Sequence, residues 1–206
     1  MLDDALQSGV DGWVLGGDFV AFGPEPSGTL ARLRELSDAI WIRGNTERWL
    51  VETPLDVPQV WRGLHETSVR LDWDQIEWLY SLPVQAELEG VLYVHGSPLS
   101  DVESFAPQPE DGEERMLAGV RDRTIVFGHT HRQLRRSGPD GTELLNPGSV
   151  GQPLDGDPRP GYALRHDDGT FELRRIEYDH RAAAAAMREL GDWTDAFAHR
   201  IEFASA

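Results

Sequence analysis

The sequence of 206 residues contains no cysteine, about half as many basic as acidic residues, and no long apolar run. Without cysteine the chain can form neither disulfide bonds nor thiolate metal sites, and it cannot use a cysteine nucleophile. No apolar run approaches the roughly 20 residues that a membrane-spanning helix needs. Residues 1–10 lack the basic flank and apolar centre of a secretion signal. We therefore expect a soluble, cytoplasmic protein with no membrane partner.

The charge balance is strongly acidic, with 36 Asp and Glu residues, 19 basic residues and a formal net charge of −17. Such a surface repels phosphate backbones, so broad nucleic-acid binding is not expected. A small phosphorylated substrate is compatible with this charge if bound cations set the local field. The length and a hydrophobic content of 39% fit one globular domain. We predict a single domain over residues 1–206, with a helical tail at about 180–206.

The hydrophobic pattern indicates strands mixed with helices first and antiparallel strands later. The first half predicts strands near 13–17 and 39–42, helices over 27–36 and within 56–82, and a hairpin over 84–94. The second half predicts a short helix over 115–120 and strands at 124–127, 132–136, 142–146, 161–166 and 170–178. This order is typical of an α/β fold in which two sheets pack face to face with helices outside. Trp61, Trp73 and Trp78 could cover either a core or a dimer surface, so a homo-oligomer stays open.

Four short polar segments each follow an apolar run, where a strand is expected to end. These segments are Gly17-Asp18, Gly44-Asn45, His95-Gly96 and Gly128-His129-Thr130-His131. Because the carboxyl ends of neighbouring strands meet at one crevice in open α/β sheets, we expect these side chains to converge. One Asp, one Asn and three His residues would form an oxygen-plus-imidazole ligand set that suits Mn, Fe or Zn.

Each of these residues also has an ordinary structural interpretation. Asp18 could cap a helix or a turn, Asn45 could occupy a left-handed turn, and a lone histidine such as His95 usually has a structural role. The pair His129 and His131 is more informative, because two imidazoles are unusual in a plain turn and favourable for a metal. It is difficult to attribute to chance that all four segments follow predicted strands.

Three arginines could neutralise substrate oxygens, although surface solvation explains any one of them. They are Arg43, Arg132 and Arg159. Arg132 is the best candidate of the three, because it directly follows the histidine pair.

With these motifs, the chain resembles the calcineurin-like metallophosphoesterases, specifically their small bacterial and archaeal phosphodiesterase branch. The matching stretches are GGDFVAFGPEP (16–26), RGNTERWL (43–50), VHGSP (94–98), VFGHTHR (126–132) and LNPGSVGQPLDGDPRPGYAL (145–164). They occur in the family's order and near its spacing. The resemblance implies a four-layer α/β/β/α sandwich in which a metal-bound hydroxide attacks a small phosphoester.

The resemblance also implies a ligand set for two divalent metal ions, which could be Mn, Fe, Ni or Zn. Asp18 would bridge the two ions. Asn45, His95 and His129 would complete the ligands of one ion, and His131 would belong to the other.

One departure from the family concerns the second ion. The family begins with a strand that ends in Asp-x-His, and no Asp-x-His occurs before Asp18 in this chain. Only Asp18 and His131 then remain for the second ion, so a single bound metal is a second expectation. We expect that this first strand is missing from the chain and that the natural protein starts roughly 25 residues upstream, the length of a strand and most of a helix.

A second departure concerns proton transfer. Thr46 stands where the family has a general-acid histidine, and general-acid help is typically worth ~10²–10⁴ in rate. We predict a metal-dependent phosphodiesterase that prefers good leaving groups, with Asn45, Thr46, His95 and Arg132 as its catalytic residues. The alternatives are a weakly active or inactive remnant that binds one metal, and a nucleotide pyrophosphatase.

Overall fold

The computed structural model describes residues 1–52 and 57–205. Its helices are α1 (Leu2–Gln7), α2 (Pro26–Arg34), α3 (Asn45–Trp49), α4 (Pro58–Ser68), α5 (Trp73–Ser81), α6 (Glu113–Met116), α7 (His180–Arg188) and α8 (Asp195–Phe203). A 3-10 helix at Asp192–Thr194 joins α7 to α8. Its strands are β1 (Trp13–Leu15), β2 (Ala39–Trp41), β3 (Gln85–Leu88), β4 (Val91–Val94), β5 (Thr124–Val126), β6 (Leu134–Ser137), β7 (Glu143–Asn146), β8 (Gly161–Arg165) and β9 (Phe171–Arg175).

The largest sheet has five strands in the order β3-β4-β5-β7-β6. Strands β4, β5 and β7 run parallel, whereas β3 and β6 run antiparallel at the two edges. All four residues of β4 are buried, as expected for an apolar strand covered on both faces. Its side chains alternate: Leu92 and Val94 face one hydrophobic cluster, and Val91 and Tyr93 face another.

The two faces of this sheet are covered differently. Helix α6 and the segment around Phe105 pack on the Leu92 face. The Val91 face packs against a second β layer, which contributes Val14 from β1 and Phe171 from β9. Helices α2 and α5 cover the outside of that layer next to β2. The result is an α/β/β/α arrangement of four layers, the α/β fold class that the sequence predicts.

The second β layer is divided into two strand pairs. It consists of a parallel pair, β1-β2, and an antiparallel pair, β8-β9. Within residues 1–52 and 57–205, no strand pairs with both β1-β2 and β8-β9 to join them into one sheet. Helix α1 packs on β8 through Ala5, Tyr162 and Leu164. A cavity of about 2380 Å³ extends from α1 and β8 to the polar residues that follow β1, β4 and β5.

Several predicted boundaries are wrong by a few residues, for local reasons. The helix predicted over 115–120 lies at Glu113–Met116 instead, because Ala118 and Gly119 adopt left-handed conformations that end it. The strand predicted from residue 132 begins at residue 134, because the preceding residues continue the loop after β5. The helical stretch predicted over 56–82 forms α4 and α5, and its residue 56 lies outside the described residues. None of the described helices is long and apolar enough to cross a membrane.

Candidate metal centre

Four side chains that follow neighbouring strands converge at one end of the cavity. His95 Nε2 lies 2.9 Å from Asn45 Oδ1 and 3.4 Å from Asp18 Oδ2. His129 Nδ1 also lies 2.9 Å from Asn45 Oδ1. One ligand atom from each of Asp18, His95 and His129 lies within 4.8 Å of the others. Asn45 and His95 are buried, whereas Asp18 and His129 are partly exposed, so the cluster can receive an ion from the cavity.

The backbone before and at Asp18 is held in an unusual conformation. Asp18 has φ 59° and Gly17 has φ 98°, and the left-handed region is unfavourable for residues with a Cβ atom. A Cβ atom on Gly17 would lie 2.6 Å from both Gly44 N and His95 Nδ1. This close approach requires glycine, and the turn directs the Asp18 carboxylate toward the histidines.

Glu47 stabilises this turn through side-chain hydrogen bonds with backbone N–H groups. Its side chain is fully buried, and its carboxylate accepts hydrogen bonds of 2.8 Å from the backbone N–H groups of Asp18, Phe19 and Gly44. Burial and the neighbouring Asp18 charge raise the pKa of Glu47 to about 7. Glu47 therefore joins the start of α3 to the loop after β1, and it fixes the position of Asp18 without facing the ligand cluster itself.

Thr46 also contacts Asp18. Its hydroxyl donates to Asp18 Oδ1 at 2.9 Å, and its backbone N–H donates to the same oxygen at 3.0 Å. These bonds leave the other carboxylate oxygen, Oδ2, directed at His95. The Thr46 hydroxyl is thus engaged with the Asp18 carboxylate, which is not the arrangement of a group that delivers a proton to a leaving group.

The protonation of His95 is set by its two partners. Its Nδ1 atom lies 2.7 Å from the Gly16 carbonyl oxygen, which can only accept, so Nδ1 carries a proton. Burial alone would lower the pKa of His95, but the Asp18 carboxylate outweighs burial and raises it to about 9. Burial alone would likewise raise the pKa of Asp18, and the His95 charge holds it well below its usual range. A cation can therefore replace the proton on Nε2 while Nδ1 stays bonded to Gly16.

His129 and His131 lie in a sharply turned loop, with φ 61° and 57° respectively. Burial and the nearby His95 charge lower the pKa of His129 to about 4, so its imidazole is neutral at pH 7. His131 also has a lowered pKa because of its burial. Its Nδ1 atom donates to the Gln152 carbonyl at 2.6 Å. His131 lines the same cavity but lies outside the three-residue cluster of Asp18, His95 and His129.

The structure does not bring Arg132 to the cluster. Its side chain is exposed and donates from Nε to the Leu154 carbonyl at 3.1 Å. Arg43 donates to the Tyr80 carbonyl, and Arg159 forms an ion pair with Asp157. None of these three arginines lines the cavity at the ligand cluster.

Asn146 has a supporting role that the sequence reasoning missed. It is fully buried at the end of β7, and its Nδ2 atom donates to Gly128 O at 2.9 Å and to Thr130 Oγ1 at 3.0 Å. These bonds fix the loop that presents His129. The signal in the sequence was an Asn directly after the apolar run of β7, just before Pro147-Gly148.

The donor set fits a divalent metal ion. A carboxylate oxygen, an amide oxygen and two imidazole nitrogens converge there, and such mixed ligands suit Mn, Fe, Ni or Zn. The His95 Nδ1 bond to Gly16 and the Asp18 bonds to Thr46 are the kind of outer contacts that orient metal ligands in proteins.

A comparison with known families shows the superfamily of the chain. The family model of the calcineurin-like phosphoesterase superfamily domain matches residues 1–169. The chain belongs to this superfamily. The segments that present Asp18, Asn45, His95 and His129 all lie within the matched region, so the cluster occupies the part of the chain that the calcineurin-like phosphoesterases share.

Two solved structures have the same fold over almost the whole chain. A metallophosphoesterase from Sphaerobacter thermophilus is 26% identical, with a TM-score of 0.78 and coverage of 98% of this chain and 93% of that chain. A hypothetical protein from Pyrococcus horikoshii is 18% identical, with a TM-score of 0.81 and coverage of 97% and 90%. A comparison with curated proteins finds no match. Both structural likenesses extend past residue 169, so they include the C-terminal helices.

Proposed function

We propose that this calcineurin-like phosphoesterase is a metal-dependent phosphodiesterase that hydrolyses a small phosphodiester. The observation that carries the proposal is the convergence of Asp18, Asn45, His95 and His129 within hydrogen-bonding distance at one end of the cavity. A bound divalent cation supplies two things there: a water of lowered pKa as nucleophile and positive charge for the phosphoryl oxygens. The acidic surface and the absence of cysteine support a small cytoplasmic substrate rather than a nucleic acid.

The residues of this chain have separate roles in the proposed metal centre. Asp18, Asn45, His95 and His129 would hold the cation. Glu47 and Thr46 keep the Asp18 carboxylate in place, and Gly16 keeps the His95 proton on Nδ1. Burial keeps His129 neutral, so its nitrogen can bind a cation without first losing a proton.

The test is hydrolysis of bis(4-nitrophenyl) phosphate by the full chain with added Mn²⁺, Ni²⁺ or Zn²⁺, together with the amount of metal bound. We expect metal-dependent release of nitrophenol, and we expect Asp18→Asn and His95→Gln to lose both the activity and the bound metal. His65→Gln is the matched control, because His65 is exposed on α4. Hydrolysis that persists after metal removal would contradict the proposal.

One observation favours a second candidate, a protein that binds one metal and does not hydrolyse phosphoesters. His131, the remaining candidate ligand, bonds to Gln152 and lies outside the cluster. In the same experiment, one bound metal per chain without turnover of any phosphodiester would favour this candidate over the phosphodiesterase.

The position of Thr46 leads to a prediction about leaving groups. Because its hydroxyl is bonded to Asp18 and no imidazole occupies its place, protonation of the leaving group is not assisted. Loss of such assistance is typically worth ~10²–10⁴ in rate. We compare the rate enhancement of each ester, which is its enzymatic rate divided by its uncatalysed rate. We expect this enhancement to be at least ~10²-fold larger for an aryl phosphodiester than for a dialkyl phosphodiester. Equal rate enhancements for the two esters would show that Thr46 is not limiting.

A further inference from the structure

One arginine of the C-terminal helix α8 lines the cavity that holds the candidate metal centre. The sequence contains no lysine, so arginines are its only side chains with a fixed positive charge. Arg200 is half-buried and borders the same cavity as Asp18, His129 and His131. The same cavity is also lined by Gln152, whose carbonyl accepts the hydrogen bond from His131.

Arg200 differs from the other arginines that border the cavity. Arg32 pairs with Glu35, Arg165 pairs with Glu89, and Arg174 pairs with Glu172. Within residues 1–52 and 57–205, Arg200 forms no ion pair, and its guanidinium lies over the Phe197 ring with Cζ 5.8 Å from the ring centroid. A half-buried guanidinium has lost part of its hydration and gains most from an anionic partner that presents two oxygens.

The helix that carries Arg200 is fixed relative to the metal centre on both sides. The Phe197 ring stacks on Phe22, in the loop after Asp18, with 4.6 Å between ring centroids. At the other end of α8, the Ala204 carbonyl accepts a hydrogen bond of 3.0 Å from Gly156 N. Gly156 belongs to the loop that holds His131 through Gln152. Arg200 is therefore positioned by the same two loops that shape the site.

We propose that Arg200 binds a second anionic group of the substrate, a carboxylate or a phosphate on the part of the molecule that is not being cleaved. The proposal rests on the proposed phosphodiesterase function for the identity of the substrate. Arg200 lines the same cavity as the candidate ligands without belonging to their cluster. It is therefore placed to hold a part of the substrate other than the phosphoryl group.

Three 4-nitrophenyl alkyl phosphodiesters test this proposal, with alkyl arms that end in a carboxylate, a phosphate or a carboxamide. We expect the wild-type kcat/KM to be higher for one or both charged arms than for the carboxamide. Arg200→Gln should lower kcat/KM for the preferred charged arm about ten- to hundredfold, mainly through KM, as for loss of a hydrogen bond between charged groups. Arg200→Lys should restore part of the loss. Arg181→Gln is the control, because Arg181 is an exposed arginine on the neighbouring helix α7.

A binding measurement separates this proposal from the proposed function. Calorimetric titration of hydrolysis-resistant phosphonates with the same three arms reports recognition without turnover. If the chain hydrolyses none of the esters but binds a charged arm in an Arg200-dependent way, the phosphodiesterase function fails and the role of Arg200 stands. An equal loss for charged and uncharged arms in Arg200→Gln, or no preference for a charged arm in the wild type, would overturn the role of Arg200. Circular dichroism spectra check that each variant is folded.

Discussion

The Glu47→Gln substitution tests whether a residue that is not a metal ligand controls the metal centre. Glu47 accepts three backbone hydrogen bonds from two separate segments, the turn at Asp18 and the start of α3. Glutamine has nearly the same size and shape, so it leaves no cavity. Glutamine has only one acceptor oxygen. In one orientation its NH₂ group faces the backbone N–H of Phe19, and in the other it faces the backbone N–H groups of Asp18 and Gly44.

The expected loss follows from these bonds. A hydrogen bond to a charged acceptor typically contributes about 1.5–3 kcal/mol, and a buried N–H left without a partner costs about 1–3 kcal/mol. The least disruptive orientation of the amide sacrifices the Phe19 bond alone. Burial and the Asp18 charge also disfavour the ionised Glu47 carboxylate above pH 7, and glutamine avoids that cost. We therefore expect Glu47→Gln to lower the free energy of unfolding by only about 1–2 kcal/mol at pH 8. Because the turn then loosens, the affinity for Mn²⁺ should fall about 10–100-fold, as for other outer contacts of metal ligands.

Urea unfolding and calorimetric titration with Mn²⁺ measure the two effects. Glu52→Gln is the matched control, because Glu52 is an exposed glutamate near the end of the same helical segment and contacts Arg48 and Tyr80. It should leave the Mn²⁺ affinity unchanged. If Glu47→Gln unfolds at the wild-type urea concentration and binds Mn²⁺ equally well, the reasoning about the Asp18 turn is refuted.

Two further predictions concern the same region. Gly17→Ala should lower the free energy of unfolding by about 3 kcal/mol, because the backbone of Gly17 is left-handed and an added Cβ atom meets Gly44 and His95. Gly16→Ala is the control in urea titrations, because an added Cβ atom there meets no atom within 4 Å. Equal unfolding midpoints for the two variants would contradict the prediction. In the metal-free protein, the raised pKa of His95 means that its stabilising charge is fully present below pH 6.5 and is lost as the pH rises through about 9. Urea titrations between pH 6 and 10 should show this decline, and His95→Gln should reduce it; a stability that rises over this range would exclude the assigned proton.

The positions of the polar residues after predicted strands were enough to predict which side chains meet, because the topology of the sheets determines where those strands end. Asp18, His95 and His129 follow strands whose carboxyl ends lie at one edge of the molecule, and apolar runs in the sequence show where those strands end. Asn45 could be predicted for the same reason. The argument contained no information on backbone direction within each loop, so it could not separate His129, in the cluster, from His131, which bonds to Gln152.

The supporting residues were less predictable because their partners are distant in the sequence. Glu47 reaches Asp18 and Phe19 across 29 and 28 positions, and nothing in RGNTERWL shows which backbone groups its carboxylate meets. Arg200 lies in an alanine-rich tail without a motif, and tertiary contacts of α8 such as the packing of Phe197 on Phe22 bring it to the cavity. The division of the second β layer into two pairs could not be predicted from the sequence either, because hydrophobic alternation does not show which strands pair.

The contact between Phe22 and Phe197 has a practical consequence for how this protein can be dissected. The match to the superfamily domain ends at residue 169, yet Phe171 packs against the main sheet and Phe197 covers the loop next to Asp18. An expression fragment that stops at residue 169 would lose both β9 and the aromatic cover of that loop. The boundary of sequence similarity is therefore not a boundary at which the polypeptide can be cut.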